Sequence, residues 1–354
     1  MPKSQTPVSL SAIAEAAGVS KTTVSYVLRN TGGLTKQTRN RVLRIARDLG
    51  YKPDPRLASW MAQVREAKTK AVLPIAWLTG HRRIEVWEKY KFLSPYLEGA
   101  RERALRAGYR IEIISDLEGT TPMRQLARII YSQGIKGVII THQSRRHIKL
   151  KWDATAAVAL EGRFVAPQLH QVKTHLFHNL MLALKMTRRF GYRRIGVCLA
   201  EEVDRSSDHS VRAAILYFQS SLPREQQIVP LFFSREAREN VSHDEPQVAK
   251  QVIAWVRRHR PDVVVGLHNR LENWLTSAGY HVPNEIGIVH LATDDDVSDW
   301  AGIHSRRREI GAAAVEQVLS LIQNNQYGLP ATPLSTEIRG VWKMGRTLLT
   351  QKTK

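Results

Sequence analysis

The sequence predicts two unlike parts, an all-α N-terminal head of helix-turn-helix type and an α/β body of two doubly wound parallel-sheet lobes. Three observations carry this reading. The first fifty residues repeat apolar side chains at helical spacing between capping residues and glycines, and from Ala71 onward short apolar runs alternate with amphipathic stretches. Positive charge is also concentrated at the N-terminal end.

The 354 residues carry 53 Lys+Arg against 32 Asp+Glu, a formal net charge of +21. Thirteen of those bases but only four acids lie in residues 1–70, a local net of about +9. That distribution suits a small domain that meets a polyanion, nucleic acid foremost, joined to a larger domain with another task. Short clusters elsewhere, Arg145-Arg146, Arg257-Arg258 and Arg306-Arg307-Arg308, read as solvated faces. Cys198 is the only cysteine, which excludes an intrachain disulfide, a Cys-rich zinc site and a CxxC redox pair. No stretch approaches the roughly 18 apolar residues of a membrane helix, and residues 1–9 lack the apolar core of a signal peptide, so a cytoplasmic protein without membrane contact is expected.

In the head, Ser9 can cap a helix whose apolar face is Leu10, Ile13, Ala14 and Ala17, and Gly18 supplies its left-handed stop. Ser20 caps a second helix from about Lys21 to Arg29, with Val19 placed to staple onto Val24. Its buried face is Val24, Val27 and Leu28, leaving Lys21, Thr22, Ser25, Tyr26 and Arg29 outward. Thr35 caps a third helix with Val42, Ile45, Ala46 and Leu49 inward, ended by Gly50. Two short helices joined by a tight turn, with a third completing the core, form the helix-turn-helix pattern, whose second helix enters the DNA major groove.

The run Val8-Ser9-Leu10, Ile13-Ala14, Ala17-Gly18-Val19-Ser20, Thr23-Val24-Ser25, Val27-Leu28, Thr38-Arg39 and Leu49-Gly50-Tyr51 resembles the DNA-binding head of the lactose-repressor (LacI/GalR) family. The resemblance implies a transcriptional regulator, most simply a repressor, that binds a roughly palindromic operator as a homodimer. It puts the base-reading positions on Lys21, Thr22 and Tyr26, where amines and hydroxyls can address base edges. Tyr26 departs from the Arg many relatives carry. Ser20, Ser25, Thr35 and Arg39 are better suited to phosphates, although Thr35 also serves as a helix cap.

Residues 52–65, Lys-Pro-Asp-Pro-Arg-Leu-Ala-Ser-Trp-Met-Ala-Gln-Val-Arg, open with two prolines and resemble the family's hinge helix, which orders on DNA and enters the minor groove. Trp60 aligns with the usual Leu wedge, with Leu57 and Met61 as apolar neighbours; its indole either inserts between base steps or packs on the partner hinge. The expected domains are the head at 1–53, hinge and linker at 54–70, and an effector-binding and dimerisation body at 71–354. Within the body, lobe 1 is expected at about 71–162 and 298–329, and lobe 2 at about 163–297 and 330–354.

In the body, apolar runs at 75–78, 111–114, 138–140, 157–160, 195–199, 229–233, 263–267 and 288–291 alternate with helical patterns at 95–107, 123–131, 180–190, 248–258 and 310–323. Strand, helix, strand order implies parallel sheets with right-handed crossovers, and about eight strands suggest two lobes. Ala107-Gly108-Tyr109, Gly191 to Ile195, Val282-Pro283 and Ile310 to Val315 extend the family resemblance into a sensor domain similar to periplasmic sugar-binding proteins.

Ligands of open parallel sheets bind beyond the strands' carboxyl ends. The candidate effector residues at strand exits are Trp77, Asp116, Thr141, His142, Glu161, Asp204, Arg205, Asn269 and Asp294, a set suited to a sugar or sugar acid. By resemblance, Glu161 stands where relatives carry an Asp, and Arg205 lies in the loop that carries a ligand-binding Arg. His290-Leu291-Ala292 and Asn269-Arg270 depart from the family pattern. No cofactor, metal or catalytic residue is expected: Asp294-Asp295-Asp296 reads as a solvated turn, His175 and His178 lack the HExxH context, and no Gly-rich phosphate loop or Gly-x-Ser-x-Gly elbow occurs. A DNA-bound architectural protein with a degenerate cleft, or a sugar-processing enzyme with an appended head, are the competing readings.

Overall fold

The computed structural model describes residues 8–28, 34–51, 72–79, 85–89, 91–115, 123–141, 150–161, 167–234, 245–294 and 297–351. Arg29, Leu57, Trp60, Asp116, His142 and the whole hinge lie outside the described residues.

The head consists of α1 (Leu10–Ala17), α2 (Lys21–Leu28) and α3 (Lys36–Asp48). The Ser9 hydroxyl accepts from the Ala12 amide at 3.2 Å, and Gly18 at φ +60° turns the chain out of α1, with Val19 N–H donating to the Ala14 carbonyl at 3.0 Å. Ile13, Ala14, Ala17, Val24, Val27, Val42 and Ala46 form a closed core, with Val19, Leu28 and Ile45 partly buried against it. Leu49, expected inward, is 41% exposed: α3 ends at Asp48, and Tyr51 turns back onto the core instead, its N–H on the Ala46 carbonyl.

The body elements run β1 (Leu73–Thr79), α4 (Val86–Lys89), α5 (Ser94–Arg106), β2 (Tyr109–Ser115), α6 (Met123–Ser132), β3 (Gly137–Thr141), β4 (Ala156–Leu160) and β5 (His170–Thr174). They continue through α7 (Leu176–Arg189), β6 (Ile195–Ala200), α8 (Glu201–Ser206), α9 (Ser210–Ser220), β7 (Leu231–Phe233), α10 (Glu245–His259), β8 (Val263–Gly266) and α11 (Leu271–Ser277). The last are β9 (Gly287–His290), β10 (Gly302–His304), α12 (Arg307–Gln323), β11 (Ser335–Ile338) and β12 (Val341–Lys343). The first sheet has order β11-β5-β4-β3-β1-β2 and the second β12-β10-β9-β8-β6-β7. All pairings are parallel except β10 with β12. The central strands β3, β4, β6, β8 and β9 are buried at every position, as parallel strands covered on both faces must be, which is why they read as continuous apolar runs.

The lobe boundaries differ from the sequence reading. Strand β5 pairs with β4, and β11 with β5, so 170–174 and 335–338 belong to the first sheet; β10 pairs with β9 and β12, placing 302–304 in the second. The chain therefore changes sheet three times, after Thr174, after His304 and after Ile338, and these crossovers run side by side. Helix α12 returns to the first lobe and lies along α5. Gly99 and Gly311 make this possible, because a methyl on either would overlap a backbone carbonyl of the other helix.

Candidate nucleic-acid interface and inter-lobe site

On α2 the side chains divide by helical geometry. Val24 and Val27 are buried, while Lys21, Thr22 and Tyr26 are exposed within an arc of about 140° on the opposite side. Tyr26 is 46% exposed although its neighbour Val27 is buried, so the phenol stands on a platform fixed by the core. Ser20 is exposed, and its hydroxyl accepts from the Thr23 amide at 3.0 Å while sharing a 2.8 Å bond with the Thr23 hydroxyl. Thr35 acts likewise for α3, accepting from Thr38 N–H at 3.3 Å. Ser25 and Arg39 are half-buried, and Arg39 Nε has no partner among the described residues. Arg41, Arg44 and Arg47 are exposed on the remaining surface of α3. The head thus exposes hydroxyls and an amine on α2 and guanidiniums on α3, side chains of the kinds that contact duplex DNA.

In the body, a cavity of about 300 Å³ lies between the lobes where the crossovers run. Its first-lobe wall is Glu161, Lys173, Thr174 and Glu337, and its second-lobe wall includes His175, Phe177, Ser206, Ser207 and Ser210. Glu161 follows β4 with φ +57°, a left-handed conformation unusual for a side-chain-bearing residue. Its carboxylate accepts from the Tyr96 hydroxyl at 2.9 Å, the Thr174 hydroxyl at 2.7 Å and the Thr174 amide at 3.3 Å. Burial, and then the adjoining Glu161 charge, hold the Tyr96 phenol well above its ordinary range, so it is a hydrogen-bond donor at any physiological pH. Glu337 is held by Lys173 at 3.5 Å and by His175 Nδ1 at 3.1 Å.

Arg307, at the start of α12, carries the site toward the second lobe. Its guanidinium is buried, sits 4.0 Å from the Phe92 ring centroid and 5.8 Å from that of Tyr96, and approaches Asp294 at 3.8 Å. Asp294, which follows β9, accepts from Ser305 N–H at 2.8 Å and from the Ser305 hydroxyl, with His304 Nδ1 at 3.2 Å.

Among the described effector residues expected from the sequence, only Glu161 lines the cavity. Trp77 is a correction: β1 continues two residues beyond it, and the indole is sealed in the first-lobe core, edge-on to Trp87 at 5.1 Å. Thr141 ends β3 and is buried, its hydroxyl without a partner among the described residues. Asp204 is consumed within the second lobe, accepting from His209 Nδ1 at 2.8 Å and from Arg212 N–H and Nε at 3.0 and 2.8 Å. Arg205 turns to solvent against Glu202 at 3.4 Å; Arg212 is the arginine that forks, bonding both oxygens of Glu201 at 2.8 Å over the Phe232 ring. Asn269 is exposed after β8, and Asp294 is taken by Ser305, His304 and Arg307. Within the second lobe His268 lies 4.2 Å from Trp274, and His290 is edge-on to Trp300, with His268, His290 and Trp300 buried. Thr174, His175, Ser206, Ser207, Ser210 and Glu337 were missed. The first two follow from the polar strand β5, whose sequence His-Gln-Val-Lys-Thr lacks an apolar run, and the serines sit in a short turn with no periodicity. Among the described residues no group of three or more His, Cys, Asp or Glu is arranged to hold a metal ion, and no helix is long and apolar enough to cross a membrane.

Residues 9–54 match the family described as bacterial regulatory proteins, lacI family. The chain is 24% identical over 352 residues to the HTH-type transcriptional regulator PtxS of Pseudomonas plecoglossicida, covering 94% of each chain. It is 21% identical over 334 residues to the HTH-type transcriptional repressor PurR of Photobacterium profundum, covering 89% of this chain and 92% of that one. The match to the HTH-type transcriptional regulator MalR of Streptococcus pneumoniae, 22% over 163 residues, spans 46% of this chain and about half of that protein's length, 47%. Among solved structures, the fold is similar to the transcriptional regulator CelR in complex with cellobiose, with a TM-score of 0.59 at 15% identity over 96% of this chain and 99% of the other. It is also similar to the lac repressor dimer bound to operator and the anti-inducer ONPF, with a TM-score of 0.56 at 18% identity over 97% and 100%. The head thus matches the lacI family of bacterial regulatory proteins over residues 9–54, and the chain is similar to transcriptional regulators over nearly its whole length and to the lac repressor in fold.

Proposed function

We propose that this protein is a homodimeric, operator-specific transcriptional repressor whose DNA affinity is set by a small polyhydroxylated molecule bound between the lobes. The observation that carries the reading is the α2 surface, where Lys21, Thr22 and Tyr26 are exposed above buried Val24 and Val27. Lys21, Thr22 and Tyr26 read base edges; Ser20, Ser25, Thr35 and Arg39 hold phosphates; Arg29, next in sequence after Leu28, and Leu57 and Trp60 of the hinge segment complete the contact. Residues 1–53 then act as the DNA-binding domain and 54–70 as the hinge. A dimer is the simplest way to place two such heads on half-sites of a palindrome, as in the lac repressor dimer bound to operator.

For the effector, a cavity of about 300 Å³ with Glu161, Thr174 and three serines favours a hexose-sized polyol over an apolar ligand. The ligand acts by binding the open and closed lobes unequally, which shifts the dimer between hinge-ordered and hinge-melted states. Nothing in the site calls for turnover or a cofactor, and the protein acts by binding. The test is thermal denaturation of the full chain in the presence of sugars, sugar acids and nucleosides, followed by DNA binding with each compound that stabilises it. Stabilisation by a polyol that also changes DNA affinity supports the reading. A panel without any stabilising compound favours the competing reading of a cleft filled by its own side chains, to which the internal pairing of Asp204 and Asp294 lends support.

A further inference from the structure

Three segments distant in sequence meet at the N-terminal edge of the second sheet: residues 185–194, 222–227 and 256–262. Arg194 ties them, donating from Nε to the Arg260 carbonyl at 3.0 Å, from one terminal nitrogen to the Glu225 carbonyl at 2.6 Å, and from the other to the His259 carbonyl. Arg188 reaches the Gln226 side chain at 2.6 Å, and Asp262 caps the turn by accepting from the amides of Arg193 and Arg194 at 2.7 and 3.0 Å. The segments hold nine Lys or Arg against two acids, Glu225 and Asp262.

Arg189, Arg193, Arg224, Arg257, Arg258 and Arg260 are exposed on this rim, and no carboxylate among the described residues is paired with any of them. Elsewhere in the body several exposed arginines are paired: Arg101, Arg103, Arg106, Arg110, Arg308 and Arg346 each meet a carboxylate. One unpaired surface arginine is ordinary, but six on a rim fixed by Arg194 repel one another until a polyanion neutralises them. The expectation that Arg257-Arg258 is merely a solvated face treated that pair alone, before the fold joined it to the other two segments.

We propose that this rim is a second, sequence-independent contact for the phosphate backbone of duplex DNA. None of the three segments exposes a large apolar side chain: Tyr192 is buried, and Phe190 stacks on Trp342 at 5.9 Å. A protein interface needs an apolar centre and a single-stranded nucleic acid needs stacking aromatics, whereas a duplex backbone needs only forked cations at a rigid edge. The rim lies at the amino ends of β6 and β8 and the inter-lobe cavity beyond the carboxyl ends of their sheet, so the two do not compete.

The test uses the full chain and a fluorescent duplex of random sequence, with affinity measured from about 50 to 200 mM KCl. The quadruple variant R189S/R193S/R257S/R258S alters side chains that no intramolecular bond among the described residues uses, so its melting temperature is expected to match that of the unaltered protein. Its slope of log affinity against log salt is expected to fall by about 2 to 4, as expected for as many lost phosphate contacts. The corresponding lysine variant should keep most of the slope. K21A/R39A should retain the share of the slope due to the rim, which separates failure here from failure of the head assignment. An unchanged slope in the serine variant overturns the proposal, as does loss of binding to poly-glutamate with DNA binding intact, which would make the rim a site for an acidic protein.

Discussion

The Tyr96 hydroxyl donates to Glu161 at 2.9 Å, joining α5, which packs along α12, to an acidic side chain that follows a first-sheet strand and lines the inter-lobe cavity. Because Arg307 lies beside the same phenol and reaches Asp294, a ligand that competes for Glu161 also acts on the crossover between lobes. Glu161→Gln keeps the shape but removes the charge. It is expected to weaken a stabilising polyol at least tenfold, about 1.4 kcal/mol, while costing the unliganded protein about 1 kcal/mol. Calorimetric titration with the compound found by thermal denaturation checks this.

Asp204 anchors the α8–α9 turn and is not expected to touch the ligand. Burial raises its pKa, but the hydrogen bonds from His209 and Arg212 outweigh that and hold it below the usual carboxylate range. Asp204→Ala should therefore destabilise the fold by about 2 to 3 kcal/mol, read as a lower urea midpoint, because Arg212 keeps only Glu201. The stabilisation is complete at neutral pH and is lost only as pH falls below about 4, through the lowered folded value.

His290 behaves in the opposite sense. Burial, opposed in part by its bond to the Ala292 carbonyl, pushes its pKa down to about 4 from an ordinary value of 6.5. Between those values the unfolded chain binds a proton that the native protein does not, so stability falls as pH drops from about 6.5 to 4, by about 3 kcal/mol for this group. His290→Gln should flatten that part of the pH profile of thermal denaturation. An unaltered profile would place the effect on other histidines.

In the head, Tyr26→Ala and Arg39→Ala separate reading from holding. The first should change which base pairs are preferred, by about 1 to 3 kcal/mol at the affected position, and the second should weaken all sequences alike and reduce the salt slope by about 1. Affinity measurements on a panel of single-base variants distinguish the two.

The head was legible because capping and burial are local: Ser9, Gly18, Ser20 and Thr35 do in the structure what their positions in the sequence imply. The central strands were legible because burial on both faces leaves uninterrupted apolar runs. The strands β5, β10, β11 and β12 were not: β11 and β12 are edge strands, whose pairing on one side tolerates polar sequences such as Ser-Thr-Glu-Ile, and their inner neighbours β5 and β10 are respectively mostly half-buried and only three residues long, and with them went the lobe boundaries. The site was only partly legible for the same reason. Glu161 follows a strand that could be read, whereas Thr174, His175 and Glu337 depend on the outer strands β5 and β11 that could not, and Trp77 was misplaced because it lies inside β1, which runs two residues beyond it.

The central claim, a dimer that reads symmetric half-sites through α2, is tested most directly by selecting duplexes from a random library with the full chain and sequencing them. The account predicts an enriched motif with two-fold symmetry, and a change within each half-site when the selection is repeated with Tyr26→Ala. Enrichment of no motif, or of one without symmetry and unmoved by Tyr26→Ala, would contradict it.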